Sequence, residues 1–428
     1  MFPSAAFWLG PNELHITDVS AFKIIYGQTS KFLKDPTFYH AFGASNSLFA
    51  TSNPELHRAV RNKLSPYFSL RAIENIQSLI QDSLRDLDTR LQARDPNKRV
   101  NLYNLCRCLP ADVVTKYACA SSSDALLTSN ESFEAPLLEA FDATAGTTWS
   151  RAYFPLRRWL QDSIPLRYAA MFSSDAKHIQ GFLAFATSAY DAYKTSAVRP
   201  PHPVIFEGLS DMPDHLVTDN AMAVIAGGSD TTGYTLAFAC WNLLQNPDII
   251  KKLRAEIDPH FRQSSSGTPE LATVKRMPYL DAIVKESLRL GMAASSRLPR
   301  IVPKDSKTPF VVDGQVIPPG TIVSMSVYTM HLSSDVWGPN AQDFDPARWT
   351  NDNSSGLASQ LVPFSIGKRN CIGQNLASAE LYLGIAHLFY TYDIDLCPTQ
   401  SKFKILDRFT ALLDSPFDVT IKPRQNYE

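Results

Sequence analysis

The stretch of sequence that decides the fold is PFSIGKRNCIGQNLA, residues 363–377. Cys371 stands between two glycines and two residues after Arg369, where an apolar run changes into a helical pattern. A thiolate is favoured by nearby cations and by the free backbone N–H groups at a helix N-terminus. Arg369 and Lys368 supply positive charge, and the helical pattern supplies the helix end. The residues alone therefore predict a reactive cysteine with a lowered pKa, a candidate nucleophile.

The composition indicates a globular protein that acts on small molecules or proteins. The chain has 428 residues, of which 44% are hydrophobic and 11% aromatic, so it can bury a large core. It has 41 Lys and Arg against 42 Asp and Glu, with no long basic run, which excludes a nucleic-acid partner. The N-terminus lacks the pattern of a signal peptide, and no window approaches the ~20 apolar residues of a membrane span. On its own the chain is predicted to be soluble.

The other cysteines show no pattern that carries chemistry. They form no CxxC pair and no zinc-like spacing with histidine. We expect these five thiols to be reduced and buried. They are Cys106, Cys108, Cys119, Cys240 and Cys397.

Hydrophobic periodicity predicts one mainly helical domain with small sheets. A long helix is expected over 214–245, ending before Pro247, which cannot continue it. Turn signals between short apolar runs predict strands over 310–327 and in the C-terminal 30 residues. Further helices are expected near 71–93, 103–119, 133–147, 176–194, 248–257 and 278–291.

Three short patterns inside these helices are weak signals on their own. Glu286 and Arg289 lie three residues apart, so they share a helix face, as many solvated surface pairs do. His57 and Arg61 share a face at four-residue spacing, which is also common on surfaces. The stretch AGGSDTTG, residues 226–233, weakens the long helix. It favours either a local kink in which a threonine hydroxyl bonds a backbone carbonyl, or a helix crossing at small residues.

The spacing Phe364-x-x-Gly367-x-Arg369-x-Cys371-x-Gly373 resembles the haem-binding loop of the cytochrome P450 family. The resemblance implies that Cys371 is the thiolate ligand of the iron of haem b, an arrangement that favours O–O cleavage. It further implies that Arg369 pairs with a haem propionate and that Phe364 packs near the sulfur.

The other patterns resemble the same family and follow in its order along the chain. Glu286 and Arg289 match a buried structural triad completed by Arg348, although Ala347 stands where the family often has glutamate. Thr231 and Asp230 match the residues that steer protons to dioxygen, with Thr231 making the direct contact. The resemblance implies the cofactor-binding set Cys371, Arg369, Phe364, Gly367, Gly373, His57, Arg61, Arg300 and Gly228.

By family position, the substrate pocket is lined by small or apolar side chains, so a roomy pocket for a bulky apolar substrate is expected. The motif details resemble fungal members of secondary metabolism, including trichodiene-oxygenase-like enzymes, which suggests a terpenoid first and a polyketide second. The expected pocket residues are Ala223, Ala226, Gly227, Ala294, Ser295, Ser296, Leu412 and Leu413, with the early loop 43–49.

The implied reaction is hydroxylation or epoxidation with dioxygen. The sequence has no flavin or nicotinamide fingerprint, so electrons are expected from a separate NADPH–cytochrome P450 reductase. The enzyme is expected to be a monomer. Two alternatives remain: a haem-thiolate isomerase or dehydratase, against which the Asp230-Thr231 pair argues, and a catalytically impaired haem-binding form.

The N-terminus departs from the family pattern. GPNELHI, residues 10–16, looks like a strand that should lie some way into the protein, so we expect residues 1–428 to be one haem-thiolate domain without the usual membrane anchor. Resemblance to the family predicts a location at the surface of the endoplasmic reticulum membrane. The expected lack of an anchor predicts a cytoplasmic location instead. Residues 163–172 could form a secondary membrane contact or ordinary core.

Overall fold

Helices dominate the computed structural model, which describes residues 5–264, 267–304, 308–350, 354–398 and 403–425. Four additional 3-10 turns in these ranges include Pro346–Trp349 and Gly367–Arg369. The helices are α1 (Ala21–Tyr26), α2 (Pro36–Tyr39), α3 (Pro54–Leu64), α4 (Leu70–Asn75), α5 (Gln77–Gln92), α6 (Leu102–Cys119), α7 (Ala125–Thr128), α8 (Pro136–Tyr153), α9 (Pro155–Ser163), α10 (Leu166–Ala169), α11 (Ser174–Thr195), α12 (Ile205–Gly208), α13 (Asp214–Leu244), α14 (Pro247–Gln263), α15 (Leu271–Val274), α16 (Pro278–Gly291), α17 (Val327–His331), α18 (Ser334–Trp337), α19 (Ser354–Ala358) and α20 (Gln374–Thr391).

The strands are short and form small, separate sheets, so the predicted mainly helical class with small sheets is confirmed. The largest sheet has the order β1-β2-β8-β5-β3, and smaller ones have the orders β4-β12-β9, β10-β11 and β6-β7. The strands are β1 (Ala6–Gly10), β2 (Glu13–Ile16), β3 (Leu33–Lys34), β4 (Val100–Asn101), β5 (Arg300–Ile301), β6 (Phe310–Val312), β7 (Gln315–Ile317), β8 (Ile322–Ser324), β9 (Tyr392–Leu396), β10 (Ile405–Arg408), β11 (Thr410–Leu413) and β12 (Asp418–Pro423).

The predicted helices are found, with differences that have local causes. The expected helix 71–93 is two helices, because the backbone of Ile76 (φ −106°, ψ 14°) interrupts it. The expected helix 133–147 begins at Pro136 and continues to Tyr153, just before Pro155. Strand β1 was not predicted; it pairs with β2 in a hairpin that extends the sheet.

The long helix α13 packs most extensively on α6, at a crossing made by glycine. A Cβ atom on Gly233 would lie 2.6 Å from the Cα atom of Arg107, and one on Gly228 would lie 2.7 Å from the Val114 side chain. A Cβ on Gly227 would have nothing within 4 Å. Two glycines of the stretch therefore allow a helix crossing at small residues, one of the two alternatives that the sequence left open, and the third leaves open space on the other side of α13.

The main core lies among α5, α6, α13, α16 and α20, and a second apolar cluster covers the largest sheet. As predicted, Cys106, Cys108, Cys119, Cys240 and Cys397 are buried. Cys371 is the exposed cysteine, at the end of the loop that enters α20.

Candidate active site

The loop before α20 is closed by its own backbone and presents the Cys371 thiol. The Cys371 N–H donates to the Phe364 carbonyl at 2.8 Å, and the Asn370 N–H donates to the Gly367 carbonyl at 3.2 Å. Helix α20 begins at Gln374, as the sequence predicted. The thiol therefore stands on a turn that is fixed at both of its ends.

The two glycines of this loop have different roles. Gly367 has φ +72°, and a Cβ atom there would lie 2.3 Å from the Tyr26 carbonyl oxygen at the end of α1. Glycine is thus required by the contact between two backbone segments. Gly373 faces the cysteine, since its Cβ would meet only the Cys371 sulfur, at 3.9 Å.

The electrostatics of the thiol differ from the sequence-based expectation. Protein atoms around the thiol displace water from it and so raise the pKa of Cys371, although the residue remains partly accessible; the Gly373 N–H and the Arg61 guanidinium lower the pKa by less. Arg369 instead donates to the Thr51 carbonyl at 3.0 Å, and Lys368 is exposed. The predicted lowering of the pKa by Arg369 and Lys368 is therefore wrong, because neither side chain is directed at the sulfur. A bound cation is what would hold this sulfur as a thiolate.

Five basic side chains lie together beside this loop; we call them the basic cluster. They come from four parts of the chain: strand β3, helix α3, strand β5 and the loop itself. Within the described ranges, none of them forms an ion pair with a carboxylate. The basic cluster consists of Lys34, His57, Arg61, Arg300 and Arg369.

Burial and mutual repulsion lower the pKa values of several members of the basic cluster. Burial, followed by the charge of Arg300, lowers the pKa of Arg369 to about 10. Burial and the neighbouring cations, Arg369 first, lower the pKa of His57 to about 3. The pKa of Lys34 is also far below its usual value, through burial and then Arg300 and Arg369. The arginines of the basic cluster keep their charge and, within the described ranges, have no carboxylate partner, so the cluster is suited to binding an anion.

Lys34 is a member of the basic cluster that sequence reasoning missed. It lies directly opposite Arg300 in the antiparallel pair β3–β5, is 6% exposed, and places its ammonium 4.0 Å from the centroid of the Tyr39 ring. Like charges at directly opposite positions of a strand pair are unfavourable. No sequence motif marks this position, because it depends on the pairing of strands about 270 residues apart.

The residues present fit a cofactor that has both a metal ion, which the sulfur would bind, and carboxylates, which the basic cluster would bind. The exposed thiol provides the metal ligand, and the basic cluster provides the cationic partners for carboxylates. Haem has both parts, an iron and two propionates.

Thr231 and Asp230 lie on different sides of α13. The Thr231 hydroxyl donates to the Gly227 carbonyl at 2.8 Å, on the side with open space. Asp230 is buried, and its carboxylate accepts from the Arg107 Nε at 2.9 Å. Arg107 also donates to Asp142 of α8, at 2.7 Å. Burial raises the pKa of Asp230, and the charge of Arg107 lowers it. Sequence reasoning did not find Arg107, which stands between two buried cysteines on α6.

The structural triad is assembled and fully enclosed. Glu286 accepts from the Nε and Nη2 of Arg289 at 2.9 and 2.7 Å, and the Arg348 Nε is 3.4 Å away. The Trp349 indole donates to the same carboxylate at 2.8 Å. Glu286 and Arg289 are 0% exposed, so the alternative of a solvated surface pair is excluded. Ala347 stands where the family often has glutamate, and Arg348 beside it still reaches Glu286.

His331 connects the triad to the cysteine loop and was not found from the sequence. Its Nδ1 is 2.9 Å from the Arg289 carbonyl oxygen, and its Nε2 is 2.9 Å from the backbone nitrogen of Val362. Burial lowers the pKa of His331 to about 3; the hydrogen bond to the Arg289 carbonyl raises it, and the charge of the Arg289 guanidinium lowers it by less. The ring is therefore neutral at physiological pH.

The predicted pocket residues lie in three segments. Residues 223, 226 and 227 are accessible on α13, as are 294 and 295 after α16 and 413 on β11, whereas 412 is buried. Ser296 is buried, and its hydroxyl donates to Asp407 at 2.6 Å. Gly228 was expected at the cofactor, but its side of α13 faces Val114 of α6, so helix packing accounts for it.

The fold and the site are those of a haem monooxygenase class that the comparisons identify, and the chain belongs to the cytochrome P450 family. The family model "Cytochrome P450" matches residues 3–421. The enzyme is thus an oxidoreductase that incorporates oxygen from dioxygen, and the family implies haem as cofactor and a separate redox partner.

Curated fungal relatives agree with this assignment. The chain is 30% identical over 409 residues to cytochrome P450 monooxygenase macH of Penicillium terrestre, covering 92% of this chain and 79% of the relative. It is 30% identical over 440 residues to cytochrome P450 monooxygenase ankB of Aspergillus thermomutatus, covering 98% and 82%. It is 30% identical over 421 residues to cytochrome P450 monooxygenase cloA of Claviceps purpurea, covering 94% and 80%.

Proposed function

We propose that residues 1–428 form one haem-thiolate domain that hydroxylates or epoxidises a bulky apolar molecule of fungal secondary metabolism. The observation that carries this proposal is the position of the exposed Cys371 thiol beside a basic cluster without carboxylate partners. Cys371 would bind the iron of haem b, and Phe364 would pack near the sulfur. When bound to a cysteine thiolate, haem supplies dioxygen activation with O–O cleavage.

The basic cluster would hold the two propionates. Arg300 is already oriented, since its Nη1 donates to the Tyr39 hydroxyl at 2.6 Å and to the Pro299 carbonyl at 2.9 Å. Arg61 donates to the Asn370 carbonyl at 2.8 Å, which ties α3 to the cysteine loop. Carboxylates placed among these side chains would form charge-assisted hydrogen bonds and relieve their mutual repulsion.

Thr231 would hold the proton that the reaction consumes. While the hydroxyl donates to the Gly227 carbonyl, its oxygen can still accept a hydrogen bond from a group on the open side of α13. Asp230 would help to order the proton transfer from the far side of α13, because Arg107 fixes the position of its carboxylate. Thr231 is thus the proposed catalytic group, and Asp230, on the other side of α13, would support it without direct contact.

Small side chains support a bulky apolar substrate. Ala223, Ala226 and Gly227 form the accessible side of α13, and Ala294 and Ser295 follow α16. The Ser296 hydroxyl already donates to Asp407, so its proton is not free to hold a polar substrate group. Apolar lining with few polar groups suits a hydrocarbon-like substrate, a terpenoid first and a polyketide second.

An exposed basic surface supports docking of an NADPH–cytochrome P450 reductase. Lys368 of the cysteine loop and Arg58 of α3 are both exposed, on segments that the Arg61–Asn370 contact joins. Positive charge there would attract an acidic donor and accelerate encounter at low salt. Replacing Lys368 by Glu should slow reduction at low salt and flatten its salt dependence. Unchanged values would contradict this part of the proposal.

We also propose that the enzyme works at the surface of the endoplasmic reticulum membrane. The described residues contain no helix able to cross a bilayer. An apolar stretch over α9, α10 and the residues after them is exposed, including Leu156 at 71%, Trp159 at 63% and Phe172 at 89%. The alternative that 163–172 is ordinary core is contradicted by this exposure. Exposed apolar side chains of this kind suit contact with lipid.

Turnover with labelled dioxygen tests the proposed reaction. The protein, a fungal reductase and NADPH would be incubated with a panel of terpenoid and polyketide hydrocarbons under isotopically labelled dioxygen. We expect a product that carries one labelled oxygen atom. Thr231→Ala should yield less product per NADPH oxidised, and Thr231→Ser should restore it, because the hydroxyl is the group required. A rearranged product without label would contradict the proposal and identify an isomerase.

A further inference from the structure

His331 and Arg289 hold each other through two reciprocal contacts. The Arg289 Nη1 donates to the His331 carbonyl at 2.9 Å, and the His331 Nδ1–H donates to the Arg289 carbonyl at 2.9 Å. A carbonyl oxygen can only accept, so the proton of the neutral ring is on Nδ1. The ring is 0% exposed. His331 is therefore fixed in orientation and tautomer by the same triad residue that Glu286 neutralises.

The other ring nitrogen holds the start of the cysteine loop. With the proton on Nδ1, Nε2 is an acceptor, and the Val362 N–H donates to it at 2.9 Å. The Val362 carbonyl in turn accepts from the Ser365 N–H at 3.0 Å, and Phe364 accepts from Cys371. Ser365 has φ +56°, a backbone conformation that costs free energy and persists only where its surroundings impose it. Two hydrogen-bonded links thus run from the ring to the turn that carries the sulfur.

We propose that His331 is a positioning residue for the Cys371 sulfur: its neutral ring transmits the rigidity of the triad to the first residues of the cysteine loop. The inference rests on the proposed role of Cys371 as iron ligand. One end of the loop is held by α20, and His331 supplies the side-chain hydrogen bond that holds the other end at Val362. Loosening that end would let the sulfur move relative to the iron while the rest of the fold stays intact.

Two amide substitutions separate the two contacts of the ring. In His331→Gln the terminal amide reaches the position of Nε2 and can accept from the Val362 N–H. In His331→Asn the amide remains near the position of Nδ1 and can donate only to the Arg289 carbonyl. Trp337→Phe is a matched control for ring packing: Trp337 is 3% exposed, its ring lies edge-to-face against the His331 ring with centroids 6.2 Å apart, and its indole donates to Met330, so the variant disturbs the surroundings of the ring without removing either of its hydrogen bonds.

Hydrogen exchange of the Val362 amide, measured on the full chain, is the direct test. We expect this amide to exchange about tenfold faster in His331→Asn than in the wild type, as for the loss of one buried hydrogen bond. His331→Gln and Trp337→Phe should keep the wild-type protection. Equal protection in His331→Asn and the wild type would overturn the proposal.

The second readout is the ligand state of the iron. The reduced carbon-monoxide complex should lose its red-shifted thiolate Soret band about tenfold faster in His331→Asn than in His331→Gln. If Trp337→Phe lost the band as fast as His331→Asn, overall stability would explain the loss and the proposal would fail. If the wild type showed no thiolate band at all, the proposed function would fail, whereas the Val362 exchange would still report whether His331 holds the loop.

Discussion

Single side chains around Cys371 have charge states that depend on segments far apart in the chain. Arg61 of α3 acts on the sulfur, whereas Arg369, two residues away in sequence, is directed at Thr51. Lys34 lies opposite Arg300 because the two short strands β3 and β5 pair. The resemblance of the cysteine motif to the family's haem-binding loop predicts Cys371 as the ligand, because all residues of that motif lie within one short stretch of the chain. It does not predict which cation acts on the thiol, because that depends on how α3 and the loop pack.

The histidine in the basic cluster makes the haem-free protein sensitive to acid. His57 has a pKa of about 3 in the folded chain and takes up a proton near its ordinary value of 6.5 when unfolded. Below pH 6.5 the unfolded state binds more protons, so stability falls as the pH falls towards 3. We expect His57→Asn to reduce that slope by about 1 kcal/mol per pH unit.

Urea unfolding of the haem-free protein at a series of pH values measures this slope. His260→Asn is the control, since His260 is exposed on α14. With haem bound, nearby propionates would favour the charged imidazole, so the contribution of His57 to the slope should shrink. Equal slopes for the wild type and His57→Asn in the haem-free state would show that His57 is not held neutral.

At the scale of elements, the contact between α13 and α6 positions the site. Gly233 and Gly228 bring the helices close enough for Arg107 to reach Asp230 from α6. The same crossing leaves Gly227 and Thr231 on the opposite, open side of α13. One helix thus separates the proposed catalytic hydroxyl from the buried ion pair behind it.

Alanine substitutions should distinguish the glycines of α13. Gly233→Ala places a methyl group against the backbone of α6 and should destabilise the protein by about 1–3 kcal/mol. Gly227→Ala meets nothing within 4 Å and should stabilise the helix by up to about 1 kcal/mol. Urea unfolding midpoints of the two variants measure the difference. Equal midpoints would contradict the close crossing.

Elements with strong local signals were predicted from the sequence, and contacts between them were not. The boundaries of α13 and α16 follow from periodicity and from proline at defined ends, so they were predicted within a residue or two. The break at Ile76 has no such signal. The roles of Arg107 and His331 depend on partners far away in sequence, Asp230 and Val362 among them. Resemblance to the family supplied the triad, whose Glu286–Arg289 spacing alone also fits a surface pair.

At the scale of the whole molecule, two exposed surfaces with different proposed partners are made of different segments. One is the apolar stretch over α9 and α10, and the other is the basic surface beside the cysteine loop. Arg157 and Arg167 are exposed within this stretch, and Lys368 and Arg58 lie on the segments that carry the cysteine loop and α3. Lipid and an acidic reductase would therefore be bound by different residues. Removing one contact should leave the other unchanged.

Charge introduced into the apolar stretch should weaken lipid binding. The double variant Leu156→Glu with Phe172→Glu should bind phosphatidylcholine vesicles at least about tenfold more weakly than the wild type, because two exposed apolar side chains no longer enter the lipid. Vesicle sedimentation measures the affinity. Val198→Glu is the control, since Val198 is 80% exposed outside this stretch. Equal binding of all three proteins would contradict a lipid contact at α9 and α10.

The proposed monooxygenase activity depends most directly on Cys371 as the ligand of haem iron. The measurement is the absorption spectrum of the purified, reduced protein under carbon monoxide, recorded for the wild type and for Cys371→Ser. We predict the red-shifted thiolate Soret band in the wild type, and its loss in Cys371→Ser, because serine cannot supply the sulfur donor. Absence of the band in the wild type, or its survival in Cys371→Ser, would contradict the account.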